Sequence, residues 1–179
     1  VCVVVGALVW GVTRRHKREL RSRDGFMLVT LAWMLMSAIA TVPLLIALPG
    51  LSFTDAFFET MSGLSTTGAT VLVGLEHLPP SINLWRAALH WYGGMGIIVL
   101  VVAILPLLGV GGMQLYKAET PGPVKNEKLT PRITETAKAL WFIYFLFTAA
   151  CIVALKLTGM NWFDAVCHAF STLSLGGFS

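Results

Sequence analysis

The stretch FTDAFFETMSGLSTTGAT, residues 53–70, joins a short apolar segment to a run of Ser, Thr and Gly. Its apolar part, about 11 residues long, makes only roughly 16 Å of helix, half of the hydrocarbon core of a bilayer. Ser52 or Thr54 can cap the start of such a helix. We therefore predict a re-entrant half-membrane helix over 54–65, followed by an extended segment over 66–70.

The same pattern recurs 109 residues later in the chain. Aligning 50–70 with 159–179 gives seven identical pairs, whereas composition alone would give about one or two. The pairs are Gly50/Gly159, Asp55/Asp164, Ala56/Ala165, Ser62/Ser171, Leu64/Leu173, Ser65/Ser174 and Gly68/Gly177. Each copy follows an apolar run, and such duplications are typical of transport folds, which place the substrate path at the repeat interface.

Composition excludes most soluble functions. Of the 179 residues, 56% are hydrophobic and 12% are charged, whereas a soluble domain carries about 25% charged residues. A soluble enzyme, a disordered tail and a nucleic-acid module are therefore excluded. Six of the 13 Lys and Arg residues lie at 14–23 and five at 117–138. This clustering between apolar runs is typical of a membrane protein with both basic stretches on the cytoplasmic side.

The Ser, Thr and Gly run after the half-helix meets the physical demands of a filter for dehydrated potassium ions. Carbonyl oxygens must replace the hydration shell, so consecutive carbonyls have to point into a narrow lumen. This requires Gly where the backbone leaves ordinary φ/ψ space. A preceding half-helix directs its negative carboxyl end toward the same cavity, which favours a cation. A simple turn between two helices is the alternative for an isolated Thr-Thr-Gly, but the half-helix and the second copy favour the filter.

We expect an all-α integral membrane fold built of repeated helix–pore loop–helix units, with re-entrant half-helices and extended filter segments. Spanning helices are predicted at 26–48, 87–106 and 139–155, because each lies in a long apolar run. The divisions along the chain are the end of a preceding transmembrane helix (1–12), a cytoplasmic basic loop (13–25), a first repeat (26–116), a cytoplasmic linker (117–138) and a second repeat truncated at its filter (139–179). We also expect the sequence to be a piece of a longer protein.

Three stretches carry a resemblance to a known family: FFETMSGLSTTGATVLVGLEHLP at 57–79, WYGGMGIIVLVVAILPLLGVGGMQLYKAETPGP at 91–123 and AFSTLSLGGFS at 169–179. They resemble the TrkH and TrkG membrane subunits of bacterial potassium uptake, in the Trk/Ktr/HKT superfamily. The resemblance covers essentially the whole chain. It implies four nonidentical helix–pore–helix repeats around one pore, of which this sequence would hold the first complete and the second up to its filter.

The resemblance also implies which residues bind the ion. Six residues would line the filter and bind K⁺ through backbone carbonyls: Thr66, Thr67, Gly68, Leu175, Gly176 and Gly177. Gly68 and Gly177 correspond to the filter glycines. Gly68 favours potassium, because a Ser in its place goes with sodium transport in plant relatives. Leu175 stands where the first copy has Thr66, which carbonyl ligation tolerates because the side chain is not the ligand.

Further implications of the resemblance concern the whole protein. It implies potassium uptake across a bacterial inner membrane by a multi-pass homodimer with a cytoplasmic nucleotide-binding, TrkA-like regulatory ring. K⁺ would be the transported ion, with no organic cofactor in this chain. Membrane lipid is an equally good partner for the basic stretches. We expect no enzymatic activity, since passing an ion needs no nucleophile or general base.

Two other functions stay open from the residues themselves. A tetrameric potassium channel subunit would use the same filter chemistry, although two different repeats in one chain argue against it. An intramembrane serine protease is a remote alternative, because Gly63-Leu64-Ser65 and a distant His faintly resemble its motif. The usual Gly after that Ser is Thr66 here, which argues against a protease.

The remaining polar residues in apolar segments have modest expected roles. Asp164 and His168 lie four apart on one helical face and suggest a metal or proton relay, but helix capping or mouth electrostatics is the preferred role for the acid. Arg86 is expected at the outer interface, paired with an external carboxylate such as Glu76. His90 is expected to have an interfacial or packing role.

Overall fold

The computed structural model describes residue 11, residues 22–104 and residues 129–178. These ranges contain five α-helices and no β-strand: α1 (Ser22–Ala47), α2 (Phe53–Leu64), α3 (Pro80–Ile104), α4 (Leu129–Leu157) and α5 (Trp162–Leu173), with one 3-10 turn at Leu75–His77. The all-α prediction is confirmed for this part of the chain. The predicted preceding helix at 1–12 (apart from Gly11), most of the basic loop at 13–25 and the linker up to residue 128 lie outside the described residues.

Among the described residues, two helices are long and apolar enough to cross a membrane. Their qualifying segments are Phe26–Ala47 in α1 and Glu135–Leu157 in α4, each with a mean hydropathy of 2.1. Both helices expose large apolar side chains, including Leu35, Ile46 and Phe142. Apolar surface of this extent is stable against lipid tails rather than water. The two segments agree with the first and third predicted spans.

Two helices begin earlier than the apolar pattern predicts. α3 begins at Pro80 instead of residue 87, and α4 begins at Leu129 instead of residue 139. Pro80 suits a first helical turn, because its φ is preset and its missing N–H is not needed there. Hydropathy marks the part of a helix that meets hydrocarbon, whereas polar turns extend the helix beyond it. The linker predicted over 117–138 is therefore helical from Leu129 onward.

Helix α3 lies at the centre of the described structure and contacts each of the other four helices. Buried apolar side chains fill three clusters along it, which join α3 to α1 and α2 on one side and to α4 on the other. They are Leu44, Ala56 and Ile82; Ala40, Leu64 and Leu89; and Trp91, Met95 and Tyr144. This central position lets α3 contact elements of both sequence copies.

Side-chain hydrogen bonds between helices accompany the apolar packing. The hydroxyl oxygens of Thr41 in α1 and Thr60 in α2 lie 3.1 Å apart, and Thr60 donates to the carbonyl oxygen of Ser37 at 3.0 Å. Between α3 and α4, the indole N–H of Trp91 donates to Thr148 Oγ1 at 3.0 Å. Such bonds help membrane helices to associate, because lipid tails are as apolar as the helix surfaces.

Candidate functional site

The two short helices α2 and α5 have the same length and lie 109 residues apart in the chain. Ser52 caps α2 by accepting a hydrogen bond from the Asp55 N–H at 3.1 Å, and Asn161 caps α5 by accepting one from the Asp164 N–H at 2.8 Å. Each cap side chain also donates to the carboxylate of its Asp. Both acids thus belong to helix caps. Among the residues described, no three His, Cys, Asp or Glu side chains are grouped to hold a metal ion.

Each short helix ends in the same backbone turn. Thr66 and Leu175 lie directly after the C-cap residues and have positive φ angles of 55° and 57°. The N–H groups of Thr66 and of the next residue donate to carbonyl oxygens of the last helical turn, both at 3.0 Å. Leu175 and Gly176 make the equivalent bonds at 3.1 Å. This is a Schellman motif, which commonly has Gly at its left-handed position.

The turn changes the interpretation of the predicted extended segments. Thr66 belongs to the helix end rather than to an extended strand, and Gly68 again has a positive φ, 77°. Gly177 repeats this conformation at 83°. A left-handed φ costs a non-glycine residue about 1–2 kcal/mol, which the hydrogen bonds of the turn offset. The segments 66–68 and 175–177 therefore share left-handed residues at their first and third positions.

The two segments meet at their glycines. A β-carbon on Gly68 would overlap the carbonyl oxygen of Gly176 and would lie 3.6 Å from the α-carbon of Gly177. Only the absence of a side chain at Gly68 allows the two main chains to come this close. The structure thus brings together three of the six residues that the sequence predicts for the filter.

The other three predicted residues flank these glycines in the chain. Thr66 is half-buried, Thr67 is exposed and Leu175 is 90% exposed. The hydroxyl oxygen of Thr67 lies 2.7 Å from that of Ser65. These side chains differ in chemistry and in burial, so the feature that the two copies share is their main chain.

A buried ion pair supports the first segment. Arg86 of α3 and Glu59 of α2 expose only 3% and 1% of their side chains, and Arg86 Nε and Nη2 both lie 2.7 Å from Glu59 Oε1. Glu59 also accepts hydrogen bonds from Thr70 Oγ1 at 2.9 Å and from the Val71 N–H at 3.1 Å. Thr70 Oγ1 in turn accepts from Arg86 Nη2 at 3.2 Å. The pair therefore ties α2, α3 and residues 70–71 together.

The expected placement of Arg86 is wrong. Arg86 is buried against Glu59 instead of lying at an interface with Glu76, which forms an exposed 3.6 Å contact with His77. The reason is that a charge within the packed part of α3 requires a buried partner of opposite sign. One sequence signal indicates that a buried pair exists, because Glu59 and Arg86 are opposite charges in segments that are otherwise mostly apolar, but it does not select Glu59 as the partner.

Two side chains of α3 contact the second segment. Phe178, which follows Gly177, has its ring centroid 4.2 Å from Cζ of Arg86 and stacks on the ring of His90 with centroids 4.0 Å apart. A β-carbon on Gly176 would overlap the His90 ring. His90 is fully buried, so of its two expected roles packing is confirmed.

Two glycines of α3 let the ends of both short helices approach closely. A β-carbon on Gly93 would overlap the carbonyl oxygen of Leu64, the last residue of α2. A β-carbon on Gly94 would lie 3.0 Å from the α-carbon of Ser174, which follows α5. Both short helices therefore end against the same turn of α3, which brings the two Schellman turns to one place.

A cavity of about 180 Å³ lies next to this region. Asp164 and His168 both line it, together with Glu76, Arg86 and others. The Asp164 carboxylate accepts a 2.6 Å hydrogen bond from Asn161. This bond favours the capping role of Asp164 over a metal or proton relay with His168.

Comparison with known proteins identifies the relatives of this chain. A family model for TrkH, described as a cation transport protein, matches residues 1–179. The Trk system potassium uptake proteins TrkH of Vibrio parahaemolyticus and Escherichia coli are 60% and 55% identical over 180 residues, covering 100% of this chain and 37% of each relative. The Escherichia coli potassium uptake protein TrkG is 49% identical over 176 residues, covering 98% of this chain and 36% of TrkG.

A solved structure has the same fold. The crystal structure of the potassium transporter TrkH from Vibrio parahaemolyticus matches with a TM-score of 0.82 at 52% identity, covering 98% of this chain and 34% of that one. The chain therefore spans about a third of the length of the relatives it matches. Their names describe transporters rather than enzymes, in agreement with the expectation of no enzymatic activity. On the match over its whole length, the chain belongs to the TrkH family of cation transport proteins.

Proposed function

We propose that the protein takes up potassium across a bacterial inner membrane and that this chain contributes two backbone segments of its ion filter. The observation that carries the proposal is the contact of Gly68 with Gly176. Through it, two segments with one turn geometry meet main chain to main chain. A potassium ion sheds its water only where carbonyl oxygens replace it. The proposed ligands are therefore the carbonyl oxygens of 66–68 and 175–177 rather than side chains.

The two short helices supply a favourable field for a cation at this place. α2 and α5 end at Leu64 and Leu173, directly before the proposed filter segments. The carboxyl end of a helix carries about half of a negative charge. Both ends pack against the same turn of α3, at Gly93 and Gly94. Their fields therefore add where a cation would lose its hydration shell.

In the proposed membrane arrangement, α1, α3 and α4 cross the bilayer, and α2 and α5 enter from the outer side as re-entrant half-helices. Each short helix has 12 residues, which makes about 18 Å of helix and cannot span the membrane. The basic stretches at 14–23 and 117–138 are placed on the cytoplasmic side by the positive-inside rule. The membrane potential would then drive inward movement with about 2.3 kcal/mol per charge per 100 mV.

The proposal extends to the partners that the resemblance implies. The names of the relatives describe a Trk system, and we propose a homodimer with a cytoplasmic nucleotide-binding, TrkA-like ring. The basic stretches at 14–23 and 117–138 would contact the ring or anionic lipid headgroups. Purification of the full-length protein with and without the ring, followed by measurement of the mass of the complex, tests both partners.

The two alternative functions receive less support. A tetrameric channel subunit needs one filter segment in each chain, whereas this chain carries two nonidentical copies in contact. A serine protease needs a His beside its nucleophile. The hydroxyl oxygen of Ser65 instead lies 2.7 Å from that of Thr67 and 3.5 Å from the carbonyl oxygen of Ser62.

Selective uptake by the full-length protein tests the proposed filter. Potassium and sodium uptake are measured in bacterial cells that lack their own potassium uptake, for the unmodified protein, for Gly68→Ser and for the control Gly50→Ser. A side chain on Gly68 would meet Gly176 at a positive φ, whereas a β-carbon on Gly50 meets nothing within 4 Å. We expect Gly68→Ser to lower the potassium-to-sodium ratio about tenfold and Gly50→Ser to retain it. An unchanged ratio in Gly68→Ser would refute the filter assignment.

A further inference from the structure

We propose that Glu59 and Arg86 form a brace that positions both filter segments and so sets ion selectivity without touching the ion. This inference rests on the proposed function and adds two positioning residues to the filter. The brace is defined by the 2.7 Å ion pair between the two side chains. It holds residues 70–71, shortly after the first segment, through hydrogen bonds, and Phe178, directly after the second segment, through its aromatic ring.

The first segment is held at both of its ends. At its beginning, the N–H of Thr66 donates to the last turn of α2. Just beyond its end, Thr70 Oγ1 donates to Glu59 at 2.9 Å and accepts from Arg86 Nη2 at 3.2 Å, while the Val71 N–H donates to Glu59 at 3.1 Å. A change at Glu59 therefore alters the acceptor for Thr70 and Val71, a change at Arg86 removes the fixed fork that holds Glu59 and Thr70 in place, and both leave the helix-end turn intact.

The same guanidinium contacts Phe178, the residue directly after the second segment. Cζ of Arg86 lies 4.2 Å from the ring centroid of Phe178, which is within the range of a cation–π interaction. Phe178 directly follows Gly177 and is only 9% exposed. Its ring also stacks on His90 of α3. A shift of the second segment would break these contacts, so Arg86 fixes one segment relative to the other.

The second sequence copy does not repeat the parts of the brace. The positions that align with Glu59 and Ala69 of the first copy are His168 and Phe178 in the second. The first copy thus supplies the carboxylate and the second supplies the aromatic ring, with Arg86 between them. This division of parts indicates one brace that serves two segments.

Arginine is chemically suited to this double role. A guanidinium is planar, remains charged, donates hydrogen bonds in a fixed fork and stacks on aromatic rings, whereas a lysine ammonium has no planar face. Stability alone is a weak reason for a buried ion pair, because well-packed apolar residues in its place are often as stable or more so. The pair is therefore expected to act on the geometry of the segments that it holds.

This inference is tested by substitutions that disrupt the brace and nearly preserve the size of the side chain. In the full-length protein, Glu59→Gln and Arg86→Lys are compared with the matched control Glu76→Gln. The control makes the same chemical change in the exposed contact of Glu76 with His77. A third variant, Phe178→Leu, leaves the ion pair intact and removes the ring. The measurement is the ratio of potassium to sodium uptake, with each uptake normalised to the amount of protein in the membrane.

We expect the ratio to fall about two- to thirtyfold in Glu59→Gln, Arg86→Lys and Phe178→Leu, and to be unchanged in Glu76→Gln. The double variant Glu59→Gln/Arg86→Lys should lower the ratio by less than the product of the two single effects, because both changes act on the same ion pair.

A purely structural role predicts a different result. If total uptake falls in Glu59→Gln and Arg86→Lys while the ratio keeps its unmodified value, the inference is overturned. If neither variant reaches the membrane, Phe178→Leu provides the test. An unchanged ratio of potassium to sodium uptake in Phe178→Leu overturns the inference as well. Failure of the proposed function is a distinct result, because the unmodified full-length protein would then not discriminate potassium from sodium.

Discussion

The main chain of Gly68 packs against the carbonyl oxygen of Gly176, although the two residues lie 108 positions apart in the chain. Three features of the structure produce this contact. The short helices α2 and α5 are capped at matching residues, both end in a Schellman turn, and both ends rest on glycines of α3. Each feature is open to a separate test.

The packing of α2 on α3 predicts a strong effect of Gly93→Ala. Its β-carbon would overlap the main-chain carbonyl oxygen of Leu64, which cannot move without the whole of α2. We expect a loss of about 1–3 kcal/mol in the free energy of unfolding, measured as thermal unfolding of the full-length protein in detergent.

A matched comparison for this prediction is Gly96→Ala. Its β-carbon would lie 2.9 Å from the Trp33 ring, a side chain that can rotate away. Both substitutions gain the same helix propensity of about 1 kcal/mol, so the difference between them compares a clash with the main chain of Leu64 and a clash with the movable side chain of Trp33. Equal stabilities of the two variants would contradict the close approach of Leu64.

The Schellman turn predicts that a glycine at Leu175 stabilises the protein. Leu175 has a φ of 57° and is 90% exposed. Leu175→Gly should raise the free energy of unfolding by about 1 kcal/mol, because glycine adopts this φ without strain. Potassium uptake should persist, because the carbonyl remains, as it does in Thr66→Ala.

A second substitution at the same position, Leu175→Val, should lower the free energy of unfolding, because a β-branched residue is unfavourable at a positive φ. Thermal unfolding and rubidium uptake of the same samples check both expectations. A Leu175→Gly protein that is less stable than Leu175→Val would show that side-chain contacts, and not the turn, decide the stability at this position.

The helix caps predict a third set of effects. Ser52→Ala and Asn161→Ala should each cost about 1 kcal/mol, because each removes the acceptor for a backbone N–H of the first turn, whereas Ser52→Asn should keep the cap, since Asn161 makes both cap bonds in α5. The control is Thr30→Ala, since the exposed Thr30 hydroxyl donates only within its own helix. In thermal unfolding, Thr30→Ala should be as stable as the unmodified protein, and Ser52→Ala and Asn161→Ala should be less stable. If Ser52→Ala and Asn161→Ala are as stable as Thr30→Ala, the capping role is excluded.

Local features of the site could be predicted from the sequence. The bounds of α2, Phe53–Leu64, agree with the predicted 54–65 within one residue, and α5 lies 109 residues later as the repeat implies, because caps and the apolar pattern are properties of neighbouring residues. The first residues of α3 and α4 could not be predicted, because hydropathy reports the surroundings of a helix rather than its hydrogen bonds. The left-handed φ of Thr66 and Leu175 is not predictable from the sequence either, since a Schellman turn with neither Gly nor Asn at that position has no composition signal.

The long-range contacts of the site could not be predicted from the sequence. The separation of Glu59 from Arg86 is 27 residues, and only the docking of α2 on α3 selects Glu59 over Glu76 as the partner. The stacking of His90 on Phe178 depends in the same way on how the second copy packs against α3. Opposite charges in apolar segments predict that a pair exists, but not which residues form it.

The most direct test of the central claim is the position of the ion itself. Rubidium can replace potassium and gives anomalous X-ray scattering, so crystals of the full-length protein grown in rubidium chloride would locate bound ions. We predict anomalous density in contact with the backbone carbonyl oxygens of 66–68 and 175–177. Rubidium bound elsewhere, with no density beside these two segments, would contradict the account.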